Sequence, residues 1–380
     1  MQSLLKSTIA ILASSTLLHS CVSCQELADQ VFAAIDSRND GLRTLNTEIW
    51  ENPEIGYQEV HAHQVLTDYL EEQGFKVTRS AYNLSTAFRA EFSNGTPAEE
   101  GGGGKETLAT LLGEELSLLG EAMSPGPVAS DRYIKLLLMN PAYRGSMIVA
   151  AHAAAAPWAG QNALDGFVAA YQMAGLFRQQ LQPSDRIHHV VTKGWSVANI
   201  IPDYIESQWG VRGNTRPRRD VVLDQVQSIL YASGNGTNTT VEITPFQDYW
   251  DQNPSFQLAS TFYQHQMKYL DPANDPKTAN FTVSSPEDSR RDGGASASSD
   301  QGNVSWFLPA IQVGFPVGGG TPVHNAGFRE LAGTDFAHES AIQTAKILAL
   351  TGLEVLKNET YAETMWKEWK AMIEEVSVSV

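Results

Sequence analysis

The chain has 380 residues, 42% of them apolar and 18% charged, which is enough to bury a sizeable core and to form two or three domains. Its 26 basic and 43 acidic residues leave a formal net charge of −17. That charge repels phosphate backbones and anionic lipid surfaces, so neither nucleic acid nor a membrane is expected as a partner.

Residues 1–24 carry Lys6 as their formal charge, run through an apolar stretch from Thr8 to Leu18 and end in small residues around Cys21 to Cys24. This pattern reads as a signal peptide and predicts a secreted, extracellular protein; an ordinary buried helix is the plainer alternative. Cys21 and Cys24 lie at the expected cleavage zone, so a processed chain holds at most one thiol and no internal disulfide. Seven Asn-x-Ser/Thr triplets, at Asn83, Asn94, Asn235, Asn238, Asn280, Asn303 and Asn358, are compatible with a secreted glycoprotein.

Leu27, Val31, Phe32 and Ile35 recur at helical spacing, and Ala62, Val65, Leu66, Tyr69 and Leu70 predict a second helix that stops at Gly74. Short strands are expected at Phe75–Thr78 and Ala87–Phe92, followed by an Asn94-Gly95 turn and the glycine run Gly101–Gly104. From about Tyr133 to Tyr249, strand-like runs such as Ile187–Thr192 and Val241–Thr244 surround a helix from Ala163 to Leu181, which reads as a separate small α/β unit. Asn253–Leu270 predicts a helix, and Asp271–Ser299 has the Asp, Pro, Ser and Gly content of an exposed loop. Ala337–Leu356 then places Ile342, Ala345, Ala349, Leu353 and Leu356 on one helical stripe.

The sharpest chemical signal is GTPAEEGGGG at Gly95–Gly104, where Glu99 and Glu100 are adjacent carboxylates between a turn and a glycine run. Adjacent acids repel; beside a cation, one can ligate it while the other handles protons. Alone, such a pair is ordinarily a solvated loop. His324, after a proline in a Gly-rich loop, is by itself ordinarily a surface residue, and His152 among alanines can be a packed core histidine. His61 and His63, near Glu59, Glu71 and Glu72, are read as part of a solvated helix face.

Five ordered blocks, GTPAEEGGGGK, AAHAAAAPWAGQNALD, ANIIPDY, SSDQGNVS and GTPVHNAGFRELAGTDFAHESA, carry a resemblance, with support from IWENPEIGY at Ile49–Tyr57 and TAFRAEF at Thr86–Phe92. They resemble the zinc-dependent amidohydrolase and aminoacylase superfamily, peptidase family M-twenty, on its dipeptidase and amidohydrolase branch. The resemblance implies an incomplete α/β/α catalytic-type domain from 25–132 and 253–380, interrupted at 133–252 by an α+β dimerisation lid of a four-stranded sheet and two helices. It implies a metal-dependent hydrolase of amide bonds in dipeptides or N-acyl amino acids, two zinc ions and a homodimer. Glu99 would be the general base, Glu100 and His324 metal ligands, His152 the group that polarises the oxyanion, and Asn199 and Arg212 substrate contacts.

The pattern breaks at one junction. Relatives carry a metal-bridging aspartate and a Cys-Gly-His-Asn ligand motif after the strand that ends near Phe92, whereas here Asn94-Gly95 runs straight into Thr96-Pro97. A further family histidine is missing from Met123-Ser124-Pro125-Gly126. Glu100 and His324 alone fall short of the three-ligand-plus-water arrangement of a catalytic zinc. A catalytically impaired, dimeric binding or regulatory partner, or a spliced form lacking an exon, is the alternative reading.

Overall fold

A computed structural model of the chain describes residues 24–92, 130–139, 157–194, 197–275, 278, 281, 283, 285–287 and 298–378. The described residues fall into two compact units, one within 1–122, 261–283 and 314–362, the other within 123–260, 284–313 and 363–380.

The first unit opens with helices α1 (Cys24–Asp36), α2 (Asn39–Glu51) and α3 (Val60–Glu72). In α3, Leu66 and Leu70 are one turn apart, so both face inward and are buried. The helix ends at Gly74, whose φ of 88° suits a residue without a Cβ, and Phe75 N–H closes the turn onto Leu70 O at 3.0 Å. Strands β1 (Lys76–Arg79) and β2 (Phe88–Glu91) follow as an antiparallel pair, with Lys76 opposite Glu91 and Arg79 opposite Phe88. Arg79 ties β1 to α3 through Asp68 at 2.5 Å and Glu71 at 3.0 Å.

Helix α2 was not expected from periodicity, because Gly41, Thr44 and Asn46 dilute its helical preference. Tertiary contacts hold it: Trp50 Nε1 donates to Arg329 O at 2.8 Å, and Arg43 reaches Gly333 O at 3.0 Å and Asp335 at 2.8 Å. The histidines of α3 are less solvated than expected, since His63 Nδ1 lies 2.8 Å from Thr86 O and His61 Nε2 lies 3.6 Å from Glu48.

The second unit is built on a four-stranded antiparallel sheet of β3 (Ser130–Met139), β4 (Arg186–Lys193), β5 (Tyr204–Gly213) and β6 (Thr240–Tyr249), in the order β4-β5-β3-β6. Helices α4 (Ala163–Phe177) and α5 (Arg216–Thr237) pack on it. The architecture is the mixed α/β fold with a four-stranded sheet and two helices that the sequence led us to expect.

Alternation explains the core of this unit. Ile134, Leu136 and Leu138 of β3 and Ile205, Trp209 and Val211 of β5 point to one face, are at most 1% exposed, and meet Val222, Val226 and Leu230 of α5. Each such side chain contributes roughly 1.5–3 kcal/mol by leaving water. The opposite face is polar: Glu206 is buried but satisfied by Thr192 and Tyr204 at 2.8 Å each, and by Lys135 at 3.4 Å.

Helix α6 (Phe256–Tyr269) matches the predicted helix. In the stretch read as an exposed loop, Thr278, Phe281 and Ser299 are instead buried, so its polar composition hides three anchoring side chains. Helices α7 (Gln301–Ser305), α8 (Ala326–Ala332), α9 (Asp335–Lys357) and α10 (Glu359–Val378) complete the described chain. The side chain of Thr334 caps α9 by accepting from Ala337 N–H.

Candidate active site

A concavity lies in the first unit, where the chain turns from Pro316 into α8. Val317, Phe328 and Ala337 form a small buried cluster, with Phe315, Val323 and Leu331 packed against it. On that base the backbone doubles back at Gly318 (φ 84°) and Gly319 (φ 66°), both in the left-handed region that glycine enters without strain. A Cβ on Gly319 would also stand 2.8 Å from Leu331 Cδ1, so a side chain there meets left-handed strain and a leucine methyl that must shift.

Gly320, Thr321, Pro322 and Val323 continue the loop, and with Pro316, Val317 and Phe328 they line a cavity of about 470 Å³, a size suited to a small molecule. His324 follows, exposed and at φ 64°, a backbone state that a non-glycine residue holds only when its surroundings impose it. Asn325 supplies that constraint. Its side-chain oxygen accepts from Phe328 N–H at 3.0 Å as the cap of α8, and its amide nitrogen donates to Pro322 O. The Gly-Gly-Gly-Thr-Pro run was the signal for this cavity, and a search for metal ligands passes over it.

Of the remaining candidate residues, Asn199 and Arg212 are described. Glu99, Glu100 and His152 lie outside the described residues. Asn199 is exposed in a turn before β5, and Arg212 lies near the far end of that strand, opposite Asp131 and Arg186. The strand alone puts about 26 Å between Tyr204 and Arg212.

Among the described residues, no group of three or more His, Cys, Asp or Glu side chains could hold a metal ion. His324 is the one candidate ligand within them. The described residues therefore do not fit a catalytic zinc, which needs three protein ligands and an open position, and they supply no metal-borne step.

No family model matches the chain. It is 26% identical over 420 residues to the Xaa-Arg dipeptidase of Homo sapiens, which covers 90% of this chain and 91% of that protein. It is 21% identical over 439 residues to a component of the p-aminobenzoyl-glutamate hydrolase of Escherichia coli (strain K12), covering 86% of this chain and 91% of that protein. Among solved structures, the aminobenzoyl-glutamate utilization protein from Klebsiella pneumoniae shares the fold with a TM-score of 0.51 at 12% identity, over 86% of this chain and 98% of that one.

Fold and relatives together define an α/β chain of the amidohydrolase class. Within that class its similarity is to proteins named as a dipeptidase and an aminobenzoyl-glutamate hydrolase. The chain is internally short against the human relative: 90% of 380 residues is about 342, so about 78 of the 420 aligned positions face gaps in it.

Proposed function

We propose that this chain is a hydrolase of amide bonds in dipeptides or N-acyl amino acids. One observation carries the reading: two relatives with different names, each aligned over 86% of this chain or more, are named for an amide whose nitrogen belongs to an amino acid. A dipeptide and p-aminobenzoyl-glutamate share that bond, and the glycine-lined cavity of about 470 Å³ is of a size to take one residue of such a substrate. These names favour hydrolysis over the binding-partner reading.

In this proposal Glu99 removes a proton from the attacking water and returns it to the departing amine. His152 steadies the oxyanion that forms on the carbonyl oxygen. Arg212 suits a substrate carboxylate because its planar guanidinium donates to both oxygens, and Asn199 donates to the substrate backbone. By the family resemblance Glu100 and His324 would be metal ligands and zinc the ion, although these two alone fall short of the three protein ligands that a catalytic zinc needs. Secretion and pairing as a homodimer through the sheet unit belong to the same proposal. The apolar leader supports the first, and the open edges of β4 and β6 support the second.

The test is incubation of the purified full chain with Xaa-Arg dipeptides and N-acyl amino acids, with and without added zinc, with released amino acid quantified by mass spectrometry. Product above that of Glu99→Gln is expected. No product under any metal condition sinks the proposal.

A further inference from the structure

The Asn-x-Ser/Thr triplets do not stand in equivalent surroundings. Asn94 and Asn280 lie outside the described residues. Asn303 is held at both ends of its amide: Oδ1 accepts from Trp250 N–H at 3.0 Å and Nδ2 donates to Asp248 O at 2.9 Å. The hydroxyl of its own triplet, Ser305, is fully buried, donates to Gly302 O at 2.6 Å and accepts from Asn253 N–H at 2.9 Å. Beside them, a Cβ on Gly302 would fall 2.0 Å from Trp250 O. This triplet is a packed joint between the end of β6 and α7, and a sugar on Nδ2 would occupy the space of the Asp248 carbonyl.

At the other described triplets the asparagine itself is exposed. Asn83 sits at φ 62° in the turn between β1 and β2, exposed together with Leu84 and Ser85. Asn238 sits at φ 55° just past α5 and is exposed. Left-handed asparagines mark tight turns, where a side chain stands clear of the elements it joins. Asn358 is exposed after α9 and uses its oxygen to accept from Tyr361 N–H at 3.1 Å, a bond that does not involve the amide nitrogen. Asn235 is also exposed but remains inside α5, where Thr237 of its triplet bonds back to Ser233 O at 2.8 Å. It lies one turn from Asn238, about 5–6 Å away, so a glycan on one shields the other.

We infer that Asn83, Asn238 and Asn358 are N-glycan acceptors and that Asn303 is a structural strap that stays unmodified. In the transfer, Nδ2 attacks the anomeric carbon of a lipid-pyrophosphate-linked oligosaccharide. The N–C bond forms, the C–O bond to pyrophosphate breaks, and the nitrogen releases one proton as the lipid pyrophosphate leaves. The inference rests on the proposed secretion, because the donor is met in the secretory lumen.

The test is expression of the full chain in a eukaryotic host, behind its own first 24 residues and, in parallel, behind a leader of known function in their place. Peptide-N-glycosidase in heavy-oxygen water then converts each glycosylated Asn into a labelled Asp, and peptides are mapped by mass spectrometry. Label at Asn83, Asn238 and Asn358 and none at Asn303 is expected. Label with the substituted leader alone leaves the acceptor assignment standing and removes the secretory reading. Label at Asn303, or its absence from the three acceptors in the secreted product, overturns the inference. In unglycosylated bacterial protein, Asn303→Asp should lower the melting temperature by roughly 2–4 °C, the shift for about 1 kcal/mol in a domain of this size. Asn235→Gln, exposed within α5, should leave it unchanged; equal melting of the two variants refutes the strap.

Discussion

The side-chain oxygen of Asn325 accepts the backbone N–H of Phe328 at 3.0 Å, and this single cap fixes the residue that follows His324. The same amide holds Pro322 O from the other side, so the Pro322–Asn325 turn is closed by one side chain. Asn325→Ala should cost about 1 kcal/mol of stability, the usual loss for a helix cap. It should also lower hydrolysis more than the lost stability explains, because the turn presenting His324 loosens. Thermal melting and steady-state rates on the same preparation separate the two effects; unchanged turnover would place the turn outside the chemistry.

His324 gives a sharper separation. Its φ of 64° costs a residue with a Cβ roughly 1–2 kcal/mol, whereas glycine meets no such penalty but loses about 0.5–1 kcal/mol through its freer unfolded chain. On the backbone terms alone, His324→Gly should therefore leave stability unchanged or raise it by up to about 1.5 kcal/mol, less whatever the contacts of the imidazole contribute. If the imidazole serves the site, the same variant abolishes activity. A stable and fully active His324→Gly protein would remove this residue from the reaction.

Gly319→Ala tests the cavity rather than the histidine. The new Cβ would sit 2.8 Å from Leu331 Cδ1 at a φ of 66°, so overpacking and left-handed strain act together. A loss of about 2–4 kcal/mol is expected in denaturant unfolding. Gly320 has nothing within 4 Å of its built Cβ and no positive φ, so Gly320→Ala is the matched control and should change stability little.

What the sequence revealed follows from where the signal resides. Strands β4 and β6 were visible in their β-branched runs, and α3 and α9 in their apolar stripes, because periodicity reports burial directly. Helix α2 was hidden because its stability comes from Arg43 and Trp50 reaching 290 and 279 residues along the chain. The glycine loop was recognised as a family block, but its cavity depends on Leu331 and Phe328 standing behind it, which spacing does not encode. His324 was singled out for its chemistry, and its left-handed backbone is visible only in three dimensions.

Two half-buried histidines set a pH dependence of stability. Burial holds the His338 ring below the ordinary histidine range, with the positive charge of Arg43 acting the same way against Glu339 and Asp335. Burial likewise lowers His265, where Glu354 opposes and Lys268 assists. Both rings bind a proton more weakly folded than unfolded, so in mildly acidic solution the unfolded chain takes up protons that the native state refuses. Their contribution is fully present above the unfolded histidine pKa of about 6.5 and is lost as pH falls through it towards the lower native values. The carboxylates of Glu54 and Asp68, held low mainly by hydrogen bonds, add a separate loss only at more acidic pH. Melting temperature should thus decline between about pH 6.5 and 5, before the carboxylate range begins. His265→Leu together with His338→Gln should flatten that decline; the leucine also removes a buried Nε2 without a hydrogen-bond partner among the described residues. An unaltered slope in the double variant would assign the acid sensitivity to other groups.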